Sequence, residues 1–379
     1  MMKLYIVPIE PLEERYTAEW HKYFPIEFTK RGYDVETIDG EQLSDVIETG
    51  SFLDINTTVH YKASQLQKIA AMFRAKKIKS GDTFLITDIE FWGVEAIRML
   101  AQQNQISIKI FGFLHAASYT IEDAFAAAAP YQKYTELGWL AMCEGIFVGS
   151  EYHRSAVIDR RIKPYAHASE QSLANRLIVT GNPLFLEAYF PNPGSGYPLR
   201  EKKLVITNRF DYEKRPNESL QFAYLLKKRN PDLKVVITTS RPTFRSNQQW
   251  LCDMAIEMEK DGILEIKSGL TKTEYHYELK SSMVMLSNSI EENFGYCIVE
   301  AMVFGCNPLV PNKLSHPELL RGDMRFLFDS NDDIISKAEA ILACGRAYSV
   351  HSISLTPYID VPFDIMADAM QQLRPIFEK

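Results

Sequence analysis

The chain has 379 residues, of which 46% are hydrophobic and 24% charged, and its formal net charge is -7. This length predicts two domains with sizeable cores, and the composition is that of a globular protein, not of a disordered or fibrous one. The net negative charge excludes a general attraction to nucleic acid or acidic lipid, although a local basic patch would still provide one.

In the first half of the chain, short apolar runs alternate with longer runs of helical periodicity, which predicts parallel β-α units. The predicted strands cover 3–7, 35–38, 83–86, 108–113, 145–148 and 177–180. The predicted helices cover 16–31, 64–77, 93–102 and 122–140. Gly32, directly after the first helix, is typical of a carboxy-terminal helix cap.

A second set of alternating elements begins near Lys203, with predicted strands over 204–207, 235–239, 283–286 and 309–310. Between the two sets, the stretch 190–197 (FPNPGSGY) is rich in Pro, Gly and Ser and predicts a linker. We therefore predict an α/β fold of two Rossmann-like, doubly wound domains that face a cleft, over 1–188 and 198–360. A last amphipathic run over 363–377 predicts a further helix within 361–379.

The cysteines and the amino-terminal sequence indicate in which cellular compartment the protein works. Five cysteines form neither a Cys-x-x-Cys pair nor a His-flanked metal spacing, so we expect free thiols and a reducing environment. The opening MMKLYIVPIE has too short an apolar stretch for a signal peptide, and no apolar run approaches the roughly 20 residues that cross a bilayer. These features predict a cytoplasmic protein without membrane insertion.

The stretch 287–300 (SNSIEENFGYCIVE) follows an apolar strand and leads into a helical run that begins at Tyr296. Unpaired amides at a helix start favour an anion such as phosphate, and Gly295 lets a ligand approach the backbone closely. Glu292 and Glu300 lie eight residues apart. On a helix that spacing is about 12 Å, which suits hydroxyls at the two ends of a phosphate-centred molecule. A nucleoside diphosphate sugar has this shape.

This pattern, with Phe-Gly between the two glutamates and Ala-Met after the second, resembles the signature of family 4 retaining glycosyltransferases of the GT-B fold. The resemblance implies that Glu292 holds the donor sugar, that Glu300 holds the ribose, and that the intervening backbone faces the diphosphate. The residues of that backbone are Phe294, Gly295, Tyr296 and Cys297. It also implies a nucleoside diphosphate sugar, most simply a UDP-sugar, as the donor substrate, without a prosthetic group. An exposed helix with two solvated acids is the alternative.

The stretch 207–216 (TNRFDYEKRP) follows a predicted strand and resembles the family's Gly-Arg-x4-Lys-Gly segment. By this resemblance Arg209 and Lys214 hold the diphosphate, where fixed cations stabilise the charge that grows on the leaving group. Asn208 and Arg215 stand where the family usually has glycine, so the sequence leaves open whether Lys214 or Arg215 reaches the phosphate. A solvated charged turn is the alternative.

His115 follows the predicted strand in the sequence FGFLHAAS. Members of the family often have a histidine here that contacts the donor sugar, so the resemblance makes His115, with Glu292, a candidate catalytic residue. A structural histidine is the alternative. In GT-B enzymes the last helix often crosses back to the first domain, and the alternative for residues 361–379 is a helix that caps its own domain.

A divalent metal is not expected. The sequence Asp88-Ile89-Glu90 follows a strand and imitates the Asp-x-Asp motif that binds a cation in the other glycosyltransferase fold. The helix start together with Arg209 and Lys214 already supplies positive charge for a diphosphate. The resemblance instead implies a same-face transfer in which the leaving diphosphate accepts the proton of the acceptor, and Glu292 orients the sugar.

The stretch 8–20 (PIEPLEERYTAEW) resembles, more loosely, glycosyltransferases of tailed bacteriophages that modify 5-hydroxymethylcytosine in DNA. Under that reading the protein is a hexosyl- or pentosyltransferase working in the host cytoplasm. Two basic clusters are the candidate phosphate contacts: Arg74, Lys76, Lys77 and Lys79, and Arg154, Arg160, Arg161 and Lys163. Phe91, Trp92 and Tyr119 are candidates for stacking on an extruded base.

Two other functions stay open. One is a cytoplasmic glycosyltransferase that acts on a small molecule or a glycan. The other is a two-domain sugar-nucleotide binding protein or epimerase that transfers nothing.

Overall fold

The computed structural model describes residues 2–12, 15–43, 55–120, 126, 129–185, 200–344 and 356–376. The chain divides into two compact units, one of Met1–Ala188 with Thr356–Lys379 and the other of Tyr189–Leu355. The predicted linker over 190–197 lies outside the described residues. Among the described residues, no helix has both the length and the apolar character that a bilayer span requires.

The first unit contains a six-stranded parallel sheet in the order β2-β1-β3-β4-β5-β6. Its strands are β1 (Lys3–Val7), β2 (Asp34–Thr37), β3 (Thr83–Ile86), β4 (Lys109–Phe113), β5 (Gly145–Val148) and β6 (Leu177–Val179). Every residue of β3 and β5 is buried, which explains their continuous apolar sequences, because a parallel sheet is covered on both faces.

Helices connect these strands: α1 (Tyr16–Lys30), α2 (Ile55–Arg74), α3 (Val94–Gln103), α4 (Ala129–Met142), α5 (Glu151–Val157) and α6 (Lys163–Tyr165). A π-helical turn over Ile158–Ile162 joins α5 to α6, and a 3-10 helix over Ala168–Arg176 follows. α5 begins where the Ser150 hydroxyl accepts a hydrogen bond from the amide of His153, as is typical of a helix amino terminus.

The second unit contains another six-stranded parallel sheet, in the order β12-β11-β10-β7-β8-β9. Its strands are β7 (Glu201–Ile206), β8 (Lys234–Thr238), β9 (Glu265–Lys267), β10 (Ser282–Leu286), β11 (Asn307–Pro311) and β12 (Leu327–Phe328). Its helices are α7 (Pro216–Arg229), α8 (Gln249–Lys260), α9 (Lys272–Ser281), α10 (Tyr296–Val303), α11 (His316–Leu319) and α12 (Asn331–Cys344), and a short 3-10 turn covers Tyr212–Lys214. The prediction of an α/β fold with two Rossmann-like domains is confirmed.

The last helices, α13 (Thr356–Ile359) and α14 (Val361–Gln372), belong to the first unit. The Phe363 ring packs against Phe24 and Phe28 of α1, with centroids 5.1 and 5.4 Å away. The Lys109 ammonium donates a hydrogen bond to the carbonyl of Met370 (2.7 Å). The carboxy-terminal segment is therefore part of the core that the amino-terminal segment builds.

Candidate active site

The candidate site lies where the strand order of the second sheet reverses. β7 starts this unit and has β8 on one side and β10 on the other, so the chain winds in opposite directions from it. Ligands of open α/β sheets bind outside the carboxyl ends of the strands at such a switch point. Asn208 and Arg209 follow β7 there, and Glu292 follows β10.

The helix that opens at this point, α10, starts from an unusual backbone. Gly295 precedes it with a φ of +99°, and a Cβ on this residue would lie 2.9 Å from Cδ1 of Ile298. The positive φ favours glycine, and a larger residue would also require the Ile298 side chain to move. No side chain of Gly295 caps this helix start, and helix starts favour anionic ligands because of their backbone amides.

Lys214 and Glu292 form an ion pair beside this helix start. The Lys214 ammonium lies 3.0 Å from Glu292 Oε2 and donates a second hydrogen bond, also 3.0 Å, to the carbonyl of Glu291. Burial opposes the charge on each partner, but their mutual attraction dominates. The pKa of Glu292 is lowered and the pKa of Lys214 is raised. Both groups are therefore charged at neutral pH.

The structure separates Lys214 from its neighbour Arg215. Arg215 has a φ of +44° and its guanidinium pairs with Glu218, on the first turn of α7. Arg209, the other cation of this segment, lies 2.8 Å from Glu213 Oε1. Thus Lys214 pairs with Glu292 and Arg215 pairs with Glu218, and which of the two cations reaches a phosphate stays a prediction.

Glu300, in the middle of α10, is held by a tyrosine that the sequence did not indicate. The Tyr275 hydroxyl of α9 donates a 2.7 Å hydrogen bond to Glu300 Oε2. Burial and the neighbouring Glu300 charge raise the pKa of Tyr275 well above its ordinary value, so it stays a donor. The Tyr275 hydrogen bond therefore holds Oε2 of the Glu300 carboxylate in place.

A small polar network joins the two strand ends to α10. The Cys297 thiol donates to Oδ1 of Asn208 (3.0 Å), and the Asn208 amide nitrogen donates to the Ser287 hydroxyl (2.5 Å). Burial raises the pKa of Cys297 to about 12, so its side chain is a neutral thiol here. In the sequence Asn208 appears only as a departure from the family's glycine; the structure shows that its side chain links β7, β10 and α10.

His115, the candidate in the first unit, has both ring nitrogens in use. Nε2 lies 2.7 Å from the carbonyl of Thr87, which can only accept, so Nε2 carries the proton. Nδ1 then accepts from the Tyr16 hydroxyl at 3.1 Å. Burial lowers the pKa of His115 against the pull of Asp88, and the ring is neutral. These contacts favour the structural alternative for this histidine.

Asp88, the first acid of the Asp-x-Asp-like sequence, forms an ion pair with a lysine of α2. Asp88 is buried and its carboxylate lies 2.7 Å from the Lys62 ammonium, which donates another hydrogen bond to the carbonyl of Glu90. Within the described ranges, no group of three or more His, Cys, Asp and Glu side chains is arranged to hold a metal ion.

Of the two basic clusters predicted to contact DNA, the first lies at the opposite edge of the sheet from His115. Members of the second already bind acidic side chains or backbone carbonyls. Residues 74–79 join the end of α2 to the start of β3, at the amino edge of the sheet, whereas His115 follows a strand at the carboxyl edge. In the second cluster the prediction is wrong for Arg161, which is buried and pairs with Glu136. Lys163 pairs with Asp159, and Arg154 and Arg160 donate to backbone carbonyls.

Two of the three aromatic side chains predicted to stack on a base are also unsuited to it. Phe91 and Tyr119 are buried, with 1% and 3% of their surface exposed, and the Tyr119 hydroxyl bonds to His153. Trp92 is 46% exposed and remains available.

Comparisons with known proteins point to one enzyme class. Residues 193–348 match the family model of the glycosyl transferases group 1. A stretch of 147 residues is 27% identical to tRNA-queuosine alpha-mannosyltransferase of Drosophila melanogaster. That stretch covers 35% of this chain and 38% of the relative.

Solved structures match nearly the whole chain. A UDP-forming alpha,alpha-trehalose-phosphate synthase from Burkholderia vietnamiensis has a TM-score of 0.66 at 12% identity, over 98% of this chain and 97% of that one. Sucrose-phosphate synthase from Thermosynechococcus elongatus has a TM-score of 0.62 at 12% identity, over 99% and 95%. The shared fold and the group 1 match together support a glycosyltransferase enzyme with the GT-B fold, whose second unit carries the group 1 region.

Proposed function

We propose that the protein is a retaining glycosyltransferase that moves a sugar from a UDP-sugar to a hydroxyl of an acceptor. The observation that carries this proposal is the Lys214–Glu292 ion pair beside the start of α10. A cation, a helix start and a carboxylate at the switch point of a Rossmann-like sheet support it, since a sugar diphosphate bound there would contact all three. The name of the Burkholderia enzyme, which is UDP-forming, favours uridine as the base.

Each residue then has one role. Lys214, Arg209 and the amides of Gly295, Tyr296 and Cys297 hold the diphosphate, with Phe294 completing the turn. Glu292 orients the hydroxyls of the donor sugar. Glu300, whose Oε2 accepts the Tyr275 hydrogen bond, accepts hydrogen bonds from the ribose.

The reaction breaks the bond between the anomeric carbon and the diphosphate oxygen, and forms a bond from that carbon to the acceptor oxygen on the same face. The acceptor proton moves to the departing phosphate oxygen. Negative charge grows on the diphosphate as it leaves, and the Lys214 and Arg209 cations stabilise it. When the donor binds, Lys214 has two anions within reach, the diphosphate and Glu292, so the ion pair prepares the lysine in its working position.

For the acceptor we propose a hydroxyl carried by a nucleic acid, with 5-hydroxymethylcytosine in DNA as the first candidate. The Drosophila relative is named for a modified nucleoside of tRNA, which supports this class of acceptor. A small molecule or a glycan is the alternative acceptor. A sugar-nucleotide binding protein without transferase activity is the alternative function. The free state of all five cysteines supports work in the cytoplasm.

A panel of nucleotide sugars, offered with hydroxymethylated DNA and with tRNA, tests the proposal. UDP release gives the donor, mass spectrometry of the digested nucleosides gives the acceptor, and NMR of the product gives the anomeric configuration. We expect transfer with retention, and its loss in Glu292→Gln but not in Glu257→Gln, an exposed acid of α8. Inverted product, or full activity of Glu292→Gln, would refute the mechanism.

A further inference from the structure

Several aromatic side chains of the first unit are exposed in one neighbourhood. Trp92 is 46% exposed, Tyr131 71%, Tyr134 64% and Tyr165 41%. Singly exposed aromatic residues are ordinary, but clustered ones mark a surface that binds something. Because Tyr and Trp give large rigid contact faces at low entropic cost, they are well suited to such a surface.

These residues lie at the carboxyl edge of the first sheet. Trp92 comes after β3, and α4 runs antiparallel to the strands because it ends just before β5 begins, so its first turns lie at the carboxyl edge. Tyr131 and Tyr134 are three residues apart in those turns and share one face of the helix. The Gln132 amide donates a 3.0 Å hydrogen bond to Glu90, which ties α4 to the loop that carries Trp92.

A lysine lies among the rings. The Lys133 ammonium is 4.7 Å from the ring centre of Tyr165 and 5.2 Å from that of Tyr134. The rings of Tyr134 and Tyr165 approach edge to face, with centres 6.4 Å apart. Among the nearby acids, Glu136 pairs with Arg161 and Asp159 with Lys163, while the Glu90 carboxylate accepts the Gln132 hydrogen bond. Lys133 therefore adds a cation to a surface of exposed aromatic rings.

We propose that Trp92, Tyr131, Tyr134 and Tyr165, with Lys133, form a platform on which unpaired bases of a nucleic acid acceptor stack while Lys133 contacts the backbone phosphate. Every base has a π face, and strand binding of this kind combines aromatic stacking with cations along the backbone. An uncharged sugar ring would use the aromatic faces but would give Lys133 no partner. This inference rests on the proposed function, since it assigns the acceptor class to a surface of the first unit.

Fluorescence anisotropy of the full chain with labelled oligothymidine, oligouridine and a matched duplex tests the platform directly. We expect the unpaired strands to bind more tightly than the duplex. The double change Tyr131→Ala and Tyr134→Ala should raise the Kd for oligothymidine and oligouridine about tenfold or more, because it removes ring faces on which bases stack. Tyr224→Ala, at an exposed tyrosine of α7 (45% exposed), is the matched control and should leave Kd unchanged.

Two further variants separate the parts of the platform. Tyr131→Phe with Tyr134→Phe keeps the π faces and should keep the affinity. Lys133→Gln should reduce the slope of log Kd against log salt by about 0.7, the effect of one lost phosphate contact to a single strand. Unchanged binding in the double alanine variant would overturn the inference. So would an oligosaccharide that binds through these tyrosines while the oligonucleotides do not.

UDP release from the donor without any acceptor distinguishes this inference from the proposed function. The double alanine variant should retain that hydrolysis, because its changes lie in the first unit. If no nucleotide sugar is turned over but oligonucleotides still bind through the tyrosines, the proposed function fails and the platform stands. If hydrolysis persists in all variants and oligonucleotide binding ignores the tyrosines, the platform fails and the donor chemistry stands.

Discussion

Each unit places a lysine–carboxylate pair at the carboxyl edge of its sheet, yet the two pairs differ in their surroundings. In the first unit the Lys62 and Asp88 side chains are 6% and 8% exposed, and Lys62 also binds the carbonyl of Glu90. In the second unit Lys214 and Glu292 are 13% and 18% exposed and lie beside the start of α10. The contrast teaches that an ion pair at a strand end is not in itself a binding site. The second pair is the more exposed, and the glycine at the helix start next to it, Gly295, has a φ of +99°, whereas Gly93 at the start of α3 has a φ of −94°.

Breaking the first pair should have the largest effect, and it should be on stability. Lys62→Met leaves the buried Asp88 carboxylate without its partner, which costs about 3–5 kcal/mol of the free energy of unfolding. Urea denaturation measures this loss. The double variant Lys62→Met with Asp88→Asn removes both charges and should recover much of it. A stable Lys62→Met protein would show that Asp88 does not depend on the pair.

Breaking the second pair should act on the reaction. Lys214→Ala removes a cation from the leaving diphosphate and should lower kcat by about 100- to 1000-fold, the usual effect of losing one preorganised charge-stabilising group. Initial rates of UDP release at saturating donor measure this fall.

The neighbouring arginine supplies the matched control for Lys214. Arg215→Gly suits the φ of +44° at this position and removes a guanidinium that pairs with Glu218, so kcat should change little. The assignment of Lys214 fails if Arg215→Gly has the larger effect.

Acid should destabilise both units through their buried histidines. Burial lowers the pKa of His153 and His276 to about 3 and of His316 to about 4. The unfolded chain, with histidine pKa values near 6.5, then binds more protons than the folded one as pH falls below about 6.5. Stability should decrease through this window by at most about 1.4 kcal/mol per histidine and pH unit.

Thermal unfolding between pH 7 and pH 5 measures the slope of stability against pH. In that range Glu292 and Asp88, whose folded pKa values are lowered, are still ionised and contribute little to it. His153→Gln should give a shallower slope than the parent protein. His167→Gln, at an exposed histidine, should not alter it, and equal slopes in all three proteins would rule out His153 as a source.

The smallest change is expected at Tyr275. Tyr275→Phe removes the hydrogen bond that fixes Glu300, at a cost of about 1 kcal/mol, so KM for the donor should rise about fivefold with kcat nearly constant. Isothermal titration with UDP and with its 2′-deoxy analogue checks whether the loss involves the ribose. An equal loss for both ligands would exclude that explanation.

The sequence predicted the sheets well because parallel strands are buried on both faces. β1, β3 and β5 begin and end at the predicted residues, and most other strands differ by one to three residues at an end. β9 and β12 were missed. The first is a three-residue edge strand with two charged residues, and the second has two residues. Neither has an apolar run long enough to recognise.

Helix starts were harder to predict. α2 begins at Ile55, nine residues before the predicted start, because its amino-terminal half is polar. The helix predicted over 122–140 begins at Ala129, and residues 121–125, 127 and 128 lie outside the described ranges. Amphipathic periodicity marks the packed turns of a helix better than its ends.

Within the candidate site, local sequence could indicate the residues but not their partners. Lys214 and Arg215 are adjacent and equally basic, and the left-handed backbone that separates their side chains is not visible in residue types. The partners of His115 come from α1 and from the residue after β3, far away in the chain, and the partner of Arg161 comes from α4. These contacts depend on topology, which the motif does not encode.

The first unit is made from two separated pieces of the chain, and this has a consequence for how the protein is made. Phe363 supplies part of the core around α1, so that core is incomplete until synthesis has passed Phe363. The second unit is one continuous piece of the chain, so it can fold before the first unit is complete, although it is translated later than α1. Removing the residues from Thr356 onward should therefore harm the amino-terminal half, and a fragment limited to the second unit is the better choice for expression in isolation.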